Sequence, residues 1–153
     1  MILYHFCCER DMKGIRSQGI TKGVIAGEMR VNHPGKPSTW QYYFIPGWQW
    51  LTLDADHDGQ SWATRHLIRY DRTEYRFTVD VPEKETAQLF DMDKLNAAIP
   101  GTDALFLGWP GSENWRVYHG NIPKYWLTGL DHWNKEKRCW ESVKLNWGRR
   151  RET

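Results

Sequence analysis

The apolar and aromatic residues of this 153-residue chain occur mostly in short runs that are broken by proline, glycine or polar loops. Runs of roughly four to eight such residues are typical of β-strands. The clearest is Thr73–Val81, where every second residue from Tyr75 is apolar or aromatic until Pro82 interrupts the pattern. No run approaches the roughly 18 apolar residues that a membrane-spanning helix needs. We therefore expect a β-rich protein without a membrane partner.

Five further runs predict strands at positions spread along the chain. They are Ile2–Phe6, Tyr42–Phe44, Trp48–Leu53, Trp115–Tyr118 and Cys139–Leu145. The order of strands and helices does not alternate regularly, which favours an α+β fold over a parallel α/β fold. A chain of this length forms one sizeable core. We expect a single domain over residues 1–148, followed by a basic tail at 149–153.

Two segments predict helices. In the first, Met12 and Ile15 stand at helical spacing, and Gly19 ends the helix because glycine adopts left-handed backbone angles without a Cβ clash. The second is Glu85–Ala98, where an inner face is formed by apolar residues at helical spacing. Residues 21–39 contain glycines, prolines and few apolar anchors, which predicts a loop.

Tryptophan is the unusual component of the composition. Ten tryptophans lie between Trp40 and Trp147, more than a core of this size needs, so we expect some to line a pocket or a contact surface. Lys and Arg total 21 and Asp and Glu total 19, a net charge of +2. This balance excludes a strongly basic nucleic-acid coat and an acidic tail, but not a local basic patch.

The cysteines and the N-terminus predict the cellular setting. Three cysteines, of which Cys7 and Cys8 are adjacent, cannot form a disulfide framework, and no Cys/His spacing indicates zinc. We expect Cys7 and Cys8 to be buried and inert. Met1–His5 lacks the basic and apolar regions of a signal peptide. A cytoplasmic location is therefore expected.

Asp54–Gly59 copies the beginning of an EF-hand calcium loop. Such a loop needs a bidentate glutamate at its twelfth position, and that position is Arg65. A strand, Trp48–Leu53, also stands where the preceding helix is required. We therefore expect a solvated acidic turn at Asp54–Gln60 without a metal, followed by a short helix at Ser61–His66.

Three blocks of sequence agree in order and spacing with one known fold. They are Leu3–Phe6 with Gly14–Ile20, Trp50–Asp54 with Trp62, and Glu113–Tyr118 with Ile122–Tyr125. Together these blocks resemble the ADP-ribosyltransferase-like superfamily, which includes DNA-modifying toxins, RNA 2′-phosphotransferases and small bacterial and phage relatives. The resemblance implies a split β-sandwich with one or two helices and NAD as a substrate.

The resemblance also implies how NAD is bound. The histidine of the first strand, here His5, contacts the ribose in that superfamily, and an aromatic residue of the second block stacks on nicotinamide. In place of the usual tyrosine the strand offers Trp50, Leu51 or Thr52 according to register, and the aromatic face of Trp50 suffices for stacking, with Trp62 nearby. Cations near the first strand and helix would hold the pyrophosphate. The candidates are Arg10, Arg16 and Lys22.

The third block leaves the catalytic carboxylate open. The direct register places Asn114 where the family has its glutamate, with Glu113 one residue away, and a one-residue offset turns a strand side chain to the opposite face. Either a bulge brings Glu113 into the site, or Glu141 on the last strand replaces it, or the carboxylate is lost. A carboxylate stabilises charge that develops on the ribose, whereas asparagine only positions it.

Two functions follow from this reading. The first is an NAD-dependent mono-ADP-ribosyltransferase of toxin or phage-effector type that modifies a macromolecule. The alternative is a non-catalytic inhibitor on the same scaffold that binds a nucleotide, a nucleic acid or a protein. Aromatic residues that stand near cations favour nucleic-acid contact. The sets are Trp40, Tyr42, Tyr43, Trp48 and Trp62 with Arg65, Arg69 and Arg72, and Trp133, Trp140 and Trp147 with Lys135, Lys137, Arg138 and Arg149–Arg151.

Overall fold

The computed structural model describes residues 1–58, 72–102 and 109–145. In these residues the strands are β1 (Ile2–Cys7), β2 (Val24–His33), β3 (Lys36–Pro46), β4 (Trp48–Thr52), β5 (Tyr75–Asp80), β6 (Leu89–Phe90), β7 (Trp115–His119), β8 (Leu127–Asn134) and β9 (Cys139–Ser142). The α-helices are α1 (Glu9–Gln18) and α2 (Met92–Ala98), and short 3-10 helices lie at Glu83–Gln88, Ser112–Asn114 and Lys124–Trp126. The predicted α+β class is confirmed.

Seven strands form one antiparallel sheet in the order β6-β7-β4-β1-β5-β8-β9, and β2 and β3 form a separate two-stranded ribbon. β1 pairs with β5 along its whole length, and β4 pairs with β7 along five residues. In the described chain β1 and β4 are joined by one registered pair, Tyr4 opposite Thr52. This is the shortest registered pairing between neighbouring strands of the sheet, and it joins the halves β6-β7-β4 and β1-β5-β8-β9.

Each face of the sheet carries its own core, because successive residues of a strand point to opposite sides. On one face, Met12 and Ile15 of α1 pack into a cluster that includes Leu51 and Phe77. On the other face, Trp48 belongs to a second cluster. The other buried members of that cluster are Ile25, Leu95 and Val117. Full burial of such side chains contributes about 1.5–3 kcal/mol each relative to exposure.

The predicted first helix and its end are confirmed. α1 stops before Gly19, which has a φ of 79° and donates its backbone N–H to the Ile15 carbonyl at 2.8 Å. The next residue, Ile20, forms an isolated β-bridge with Ile122. Gly19 therefore turns the chain from the helix onto the segment that precedes the 3-10 helix Lys124–Trp126.

The loop predicted for residues 21–39 is wrong. This segment forms β2 and the first part of β3, which pair from Val24 opposite Pro46 to His33 opposite Lys36. Of the prolines and glycines that suggested a loop, Pro34 and Gly35 form the turn, where Gly35 has a φ of 70°, whereas Gly27 and Pro37 lie within the strands. Only Ile25 and Gly27 of β2 are buried, so the segment lacks the sustained apolar alternation by which half-buried strands are recognised.

The single helix predicted over Glu85–Ala98 is also wrong. The chain instead forms the 3-10 helix Glu83–Gln88, strand β6 and helix α2. Asp91 begins α2, because its Oδ1 accepts a hydrogen bond from the Lys94 backbone N–H at 2.7 Å. Strand β8, which the sequence pattern did not reveal, pairs with β5 and β9.

Several predicted features lie outside the described residues. They are the helix Ser61–His66 with Trp62, the cations Arg65 and Arg69, residue Trp147 and the tail at 149–153. Within the described residues, no helix has both the length and the apolar character that crossing a membrane requires.

Two glycines of the same region provide a matched test of this arrangement. A Cβ at Gly19 would overlap the Ile122 carbonyl and would force an unfavourable positive φ, whereas a Cβ at Gly14 in α1 meets nothing within 4 Å. We expect Gly19→Ala to lower the free energy of unfolding by about 2 kcal/mol or more. Gly14→Ala is expected to raise it by about 0.5–1 kcal/mol. Urea denaturation measures both, and equal effects of the two substitutions would contradict this account.

Candidate functional site

The three sequence blocks that suggested a nucleotide site lie on neighbouring strands. Leu3–Phe6 is in β1, Trp50–Thr52 is in β4, and Trp115–Tyr118 is in β7, and these strands are adjacent in the sheet order β7-β4-β1. The short pairing of β1 with β4 lies between the first two of them. We therefore take the β1–β4 junction as the candidate site.

His5 reaches across this junction. Its Nδ1 lies 2.9 Å from the backbone carbonyl oxygen of Trp50. A carbonyl oxygen only accepts hydrogen bonds, so Nδ1 carries the proton and Nε2 remains an acceptor. Burial lowers the pKa of His5 below 6.5, and the positive charge of Arg72 lowers it further, against the opposing effects of the Trp50 bond and Asp11. The ring is therefore neutral at pH 7.

Trp50 and Thr52 lie on the opposite face of the sheet from His5. Thr52 stands opposite Tyr4, and His5 follows Tyr4, so the alternation of β1 turns the histidine to the other side. The Trp50 indole Nε1 donates to the Val24 carbonyl at 2.8 Å. The Oγ1 of the buried Thr52 accepts a hydrogen bond from the Asp54 backbone N–H at 3.0 Å. The structure therefore places Trp50 and Thr52 on one face of the sheet and His5 on the other, and His5 contacts the backbone carbonyl of Trp50 rather than its indole ring.

Asn114 and Glu113 lie in the 3-10 helix just before β7. The Asn114 side-chain amide donates to Asp54 Oδ1 at 2.9 Å, and its backbone carbonyl accepts a hydrogen bond from the Leu53 N–H at 3.0 Å. Asn114 thus fastens the start of β7 to the end of β4. Glu113 is exposed beside it. Because the 3-10 helix interrupts the strand alternation, neither face of β7 dictates the direction of Glu113.

Glu141 lies far from the junction. It is on β9, three strands from β1, which corresponds to about 14 Å at the usual strand spacing. Its carboxylate accepts a hydrogen bond from Asn134 at 3.0 Å and lies 3.7 Å from Lys137. The cations predicted to hold a pyrophosphate are exposed, on α1 and just before β2. They are Arg10, Arg16 and Lys22.

Two arginines of the site region were not assigned to it from sequence. Arg72 is close enough to His5 to influence its protonation. Arg76 of β5 lies on the same face of the sheet as Trp50. Its Nη2 and Nε donate hydrogen bonds to Asp131 Oδ2 at 2.8 and 3.1 Å. Its guanidinium carbon lies 4.7 Å from the centroid of the Trp140 ring. The alternation of β5 was the available signal, since it turns Arg76 away from the core residue Phe77.

The acidic turn is hydrogen-bonded to Arg76. Arg76 Nη1 donates to the Ala55 carbonyl, and Asp56 Oδ1 accepts hydrogen bonds from the backbone N–H groups of His57 and Asp58 at 2.7 and 3.4 Å. This agrees with the predicted turn through Asp58, the last residue described there. Asp56, His57 and Asp58 each offer one possible ligand atom, and these atoms lie within 4.8 Å of one another. Such a spacing is short enough for the three side chains to hold a cation together.

A cavity of about 660 Å³ opens beside this turn. His57 packs edge-on against Trp133 and Trp140, with ring centroids 4.7 and 5.6 Å away. The cavity's charged lining residues outside the turn are Lys135 and Arg138. Among the described residues, the buried Trp140 Nε1 has no hydrogen-bond partner.

Cys7 and Cys8 are buried, as predicted. Burial is the main cause that raises the pKa of each thiol, and the negative charge of Asp11 adds to it. Both therefore remain protonated at neutral pH. A thiol in this state is a poor nucleophile, so neither cysteine provides covalent chemistry at the site.

Comparison of the chain with family models, with curated proteins and with solved structures finds no match in any of the three. The assignment of a function therefore depends on the site geometry and on the resemblance of the three blocks.

The neutral state of His5 makes folding stability depend on pH. Its pKa in the folded state is below the unfolded value, so as pH falls below 6.5 the unfolded chain takes up the proton first, and stability is lost. We expect protonation at this histidine to lower the free energy of unfolding of the wild type by up to about 1.4 kcal/mol per pH unit, and to contribute nothing in His5→Gln. Denaturation between about pH 7.5 and pH 5.5 tests this. The other five histidines are present in both proteins, and parallel pH profiles would contradict the expectation.

The Arg76–Asp131 pair is expected to act as a unit. Both side chains are less than one-fifth exposed, so removing one partner leaves the other charge unpaired. Arg76→Gln and Asp131→Asn are each expected to cost about 2 kcal/mol of unfolding free energy, and the double variant about 1 kcal/mol less than their sum. The matched control is the exposed Lys137–Glu141 pair, whose removal should cost less than about 0.5 kcal/mol. Additive effects at Arg76 and Asp131 would contradict the coupling.

Proposed function

We propose that the chain is an NAD-dependent mono-ADP-ribosyltransferase of toxin or phage-effector type, with an ADP-ribosyltransferase-like fold and NAD held at the β1–β4 junction. One observation carries the proposal. Three blocks that are far apart in the sequence and resemble that superfamily lie on the adjacent strands β7, β4 and β1, and His5 of β1 contacts the Trp50 carbonyl of β4 where the pairing of these two strands is short. The resemblance implies a histidine of the first strand that contacts the ribose, and His5 supports the proposal at that position.

The reaction requires a carboxylate and a place for the ribose. The bond between the ribose C1′ and the nicotinamide nitrogen breaks, and its electron pair leaves with neutral nicotinamide. A nucleophilic oxygen or nitrogen of the target bonds to C1′ and loses its proton to the carboxylate or to water. Because positive charge develops on the ribose during this exchange, a nearby carboxylate lowers the barrier.

We assign ribose binding, charge stabilisation and pyrophosphate binding to three different residues. The neutral His5 offers Nε2 as an acceptor for a ribose hydroxyl, since Nδ1 is committed to Trp50. Glu113 is the proposed carboxylate, because it is exposed at the start of β7, whereas Glu141 is at the far edge of the sheet. Arg72, close to His5, supplies positive charge for the pyrophosphate.

Transfer of labelled ADP-ribose from NAD to macromolecules of a cell lysate tests the proposal. We expect Glu113→Gln to reduce label transfer by about 100-fold or more, because the glutamine retains the size of the side chain but not its charge. His5→Ala is expected to raise the KM for NAD. Glu141→Gln is the matched control, and it should retain transfer close to that of wild type.

Two results would overturn this proposal. The first is wild-type protein that neither transfers label nor releases nicotinamide from NAD, although it is folded by circular dichroism. The second is full transfer by Glu113→Gln. Loss of transfer in Glu141→Gln with activity retained in Glu113→Gln would move the catalytic role to β9.

A further inference from the structure

The ribbon of β2 and β3 exposes a row of aromatic rings. Trp40, Tyr42 and Phe44 of β3 are 65%, 61% and 67% exposed, although side chains of these types are usually largely buried. They alternate with Gln41 and Tyr43 along the strand, so all three rings project from one face of the ribbon.

The opposite face and the backbone edge of β2 hold the ribbon against the rest of the protein. Tyr43 Oη donates to the Pro100 carbonyl at 3.0 Å, and the Glu28 backbone N–H donates to the Gly101 carbonyl at 3.4 Å. The Val24 carbonyl accepts the hydrogen bond from Trp50. The aromatic row is therefore held outward in a defined position.

The spacing of the row matches stacked bases. Alternate residues of an antiparallel strand are about 6.8 Å apart. Bases stacked along one nucleic-acid strand are about 3.4 Å apart. The distance between neighbouring rings is thus about twice a stacking distance, which leaves room for one base between each pair of rings. Base–aromatic stacking of this kind tolerates any sequence, since every base has a flat face.

The charge of the ribbon suits a phosphate backbone. Residues 22–46 contain the cations Lys22, Arg30 and Lys36 and one carboxylate, Glu28, so this segment carries a net charge of +2. That equals the formal net charge of the whole chain, so the remaining residues are balanced. Arg30 stands directly opposite Trp40, beside the end of the row.

The arrangement of the row favours a nucleic acid over a protein surface. The row is one residue wide, and the residues opposite Trp40 and Tyr42 are the charged Arg30 and Glu28. Glutamate is depleted in protein–protein interfaces, so it is Glu28, beside the middle of the row, that disfavours a protein partner. Glu28 accepts the hydrogen bond of the Tyr42 hydroxyl, which holds that ring in place and raises the pKa of Tyr42.

We propose that this face of the ribbon binds single-stranded nucleic acid, with bases stacked between Trp40, Tyr42 and Phe44 and phosphates against Arg30, Lys36 and Lys22. The surface is separate from the β1–β4 junction, and its binding does not require NAD.

Fluorescence anisotropy with a labelled single strand of about eight nucleotides tests the proposal on the full chain. Oligothymidine and oligouridine are the probes, in about 50 mM salt and without NAD. Trp40→Ala, Tyr42→Ala and Phe44→Ala are each expected to weaken binding by about five- to 150-fold, from the stacking free energy of one base. The exposed aromatic Tyr125, which lies outside the ribbon, supplies the matched control Tyr125→Ala, and it should leave affinity unchanged.

The outcomes separate this proposal from its rivals and from the proposed enzyme. Binding that all three ribbon variants retain, or that Tyr125→Ala reduces equally, overturns it. Absence of binding by the folded wild type also overturns it. If the wild type then self-associates, and the variant with Trp40, Tyr42 and Phe44 all replaced by alanine does not, the aromatic row is the contact surface for a second copy of the chain. The anisotropy assay contains no NAD, so it tests nucleic-acid binding whether or not the chain transfers ADP-ribose. Failure of the transferase proposal would therefore not change the outcome of this assay.

Discussion

The two halves of the sheet are joined by one registered pair between β1 and β4, Tyr4 opposite Thr52, and the position of the candidate site residues follows from this junction. On one side, β1 is bound firmly to β5, and on the other, β4 is bound to β7. Across this junction the His5 side chain donates a hydrogen bond to the Trp50 carbonyl at 2.9 Å, which adds a side-chain link between β1 and β4. Backbone acceptors inside a protein need hydrogen-bond partners, and His5 provides one for Trp50.

Trp50 connects the junction to the ribbon. Its backbone carbonyl accepts from His5, and its indole N–H donates to Val24 at the beginning of β2. The proposed NAD site and the proposed nucleic-acid surface are thus both built against one residue of β4.

Much of the fold was predictable, because local patterns report on local structure. The alternation around Phe77, the helical spacing of Met12 and Ile15, and the glycine after α1 each identified an element whose signal lies within a few residues. The errors occurred where neighbours from elsewhere decide the structure. Val24–His33 form β2 because β3 supplies their hydrogen bonds, and Leu89 and Phe90 form β6 because β7 lies beside them.

For the site, the resemblance of three sequence blocks to a known superfamily nominated His5, Trp50, Thr52 and Asn114, because the order and spacing of such blocks are visible in the sequence. The faces on which they lie were not, because the register Tyr4–Thr52 is formed between residues that are far apart in the chain. The same holds for Arg76, whose partner Asp131 is 55 residues away, and for the distance of Glu141 from β1. Periodicity is a property of neighbouring residues and can be read from the chain alone, whereas register, sheet order and the pairing of buried charges arise from long-range contacts and exist only after the strands have assembled.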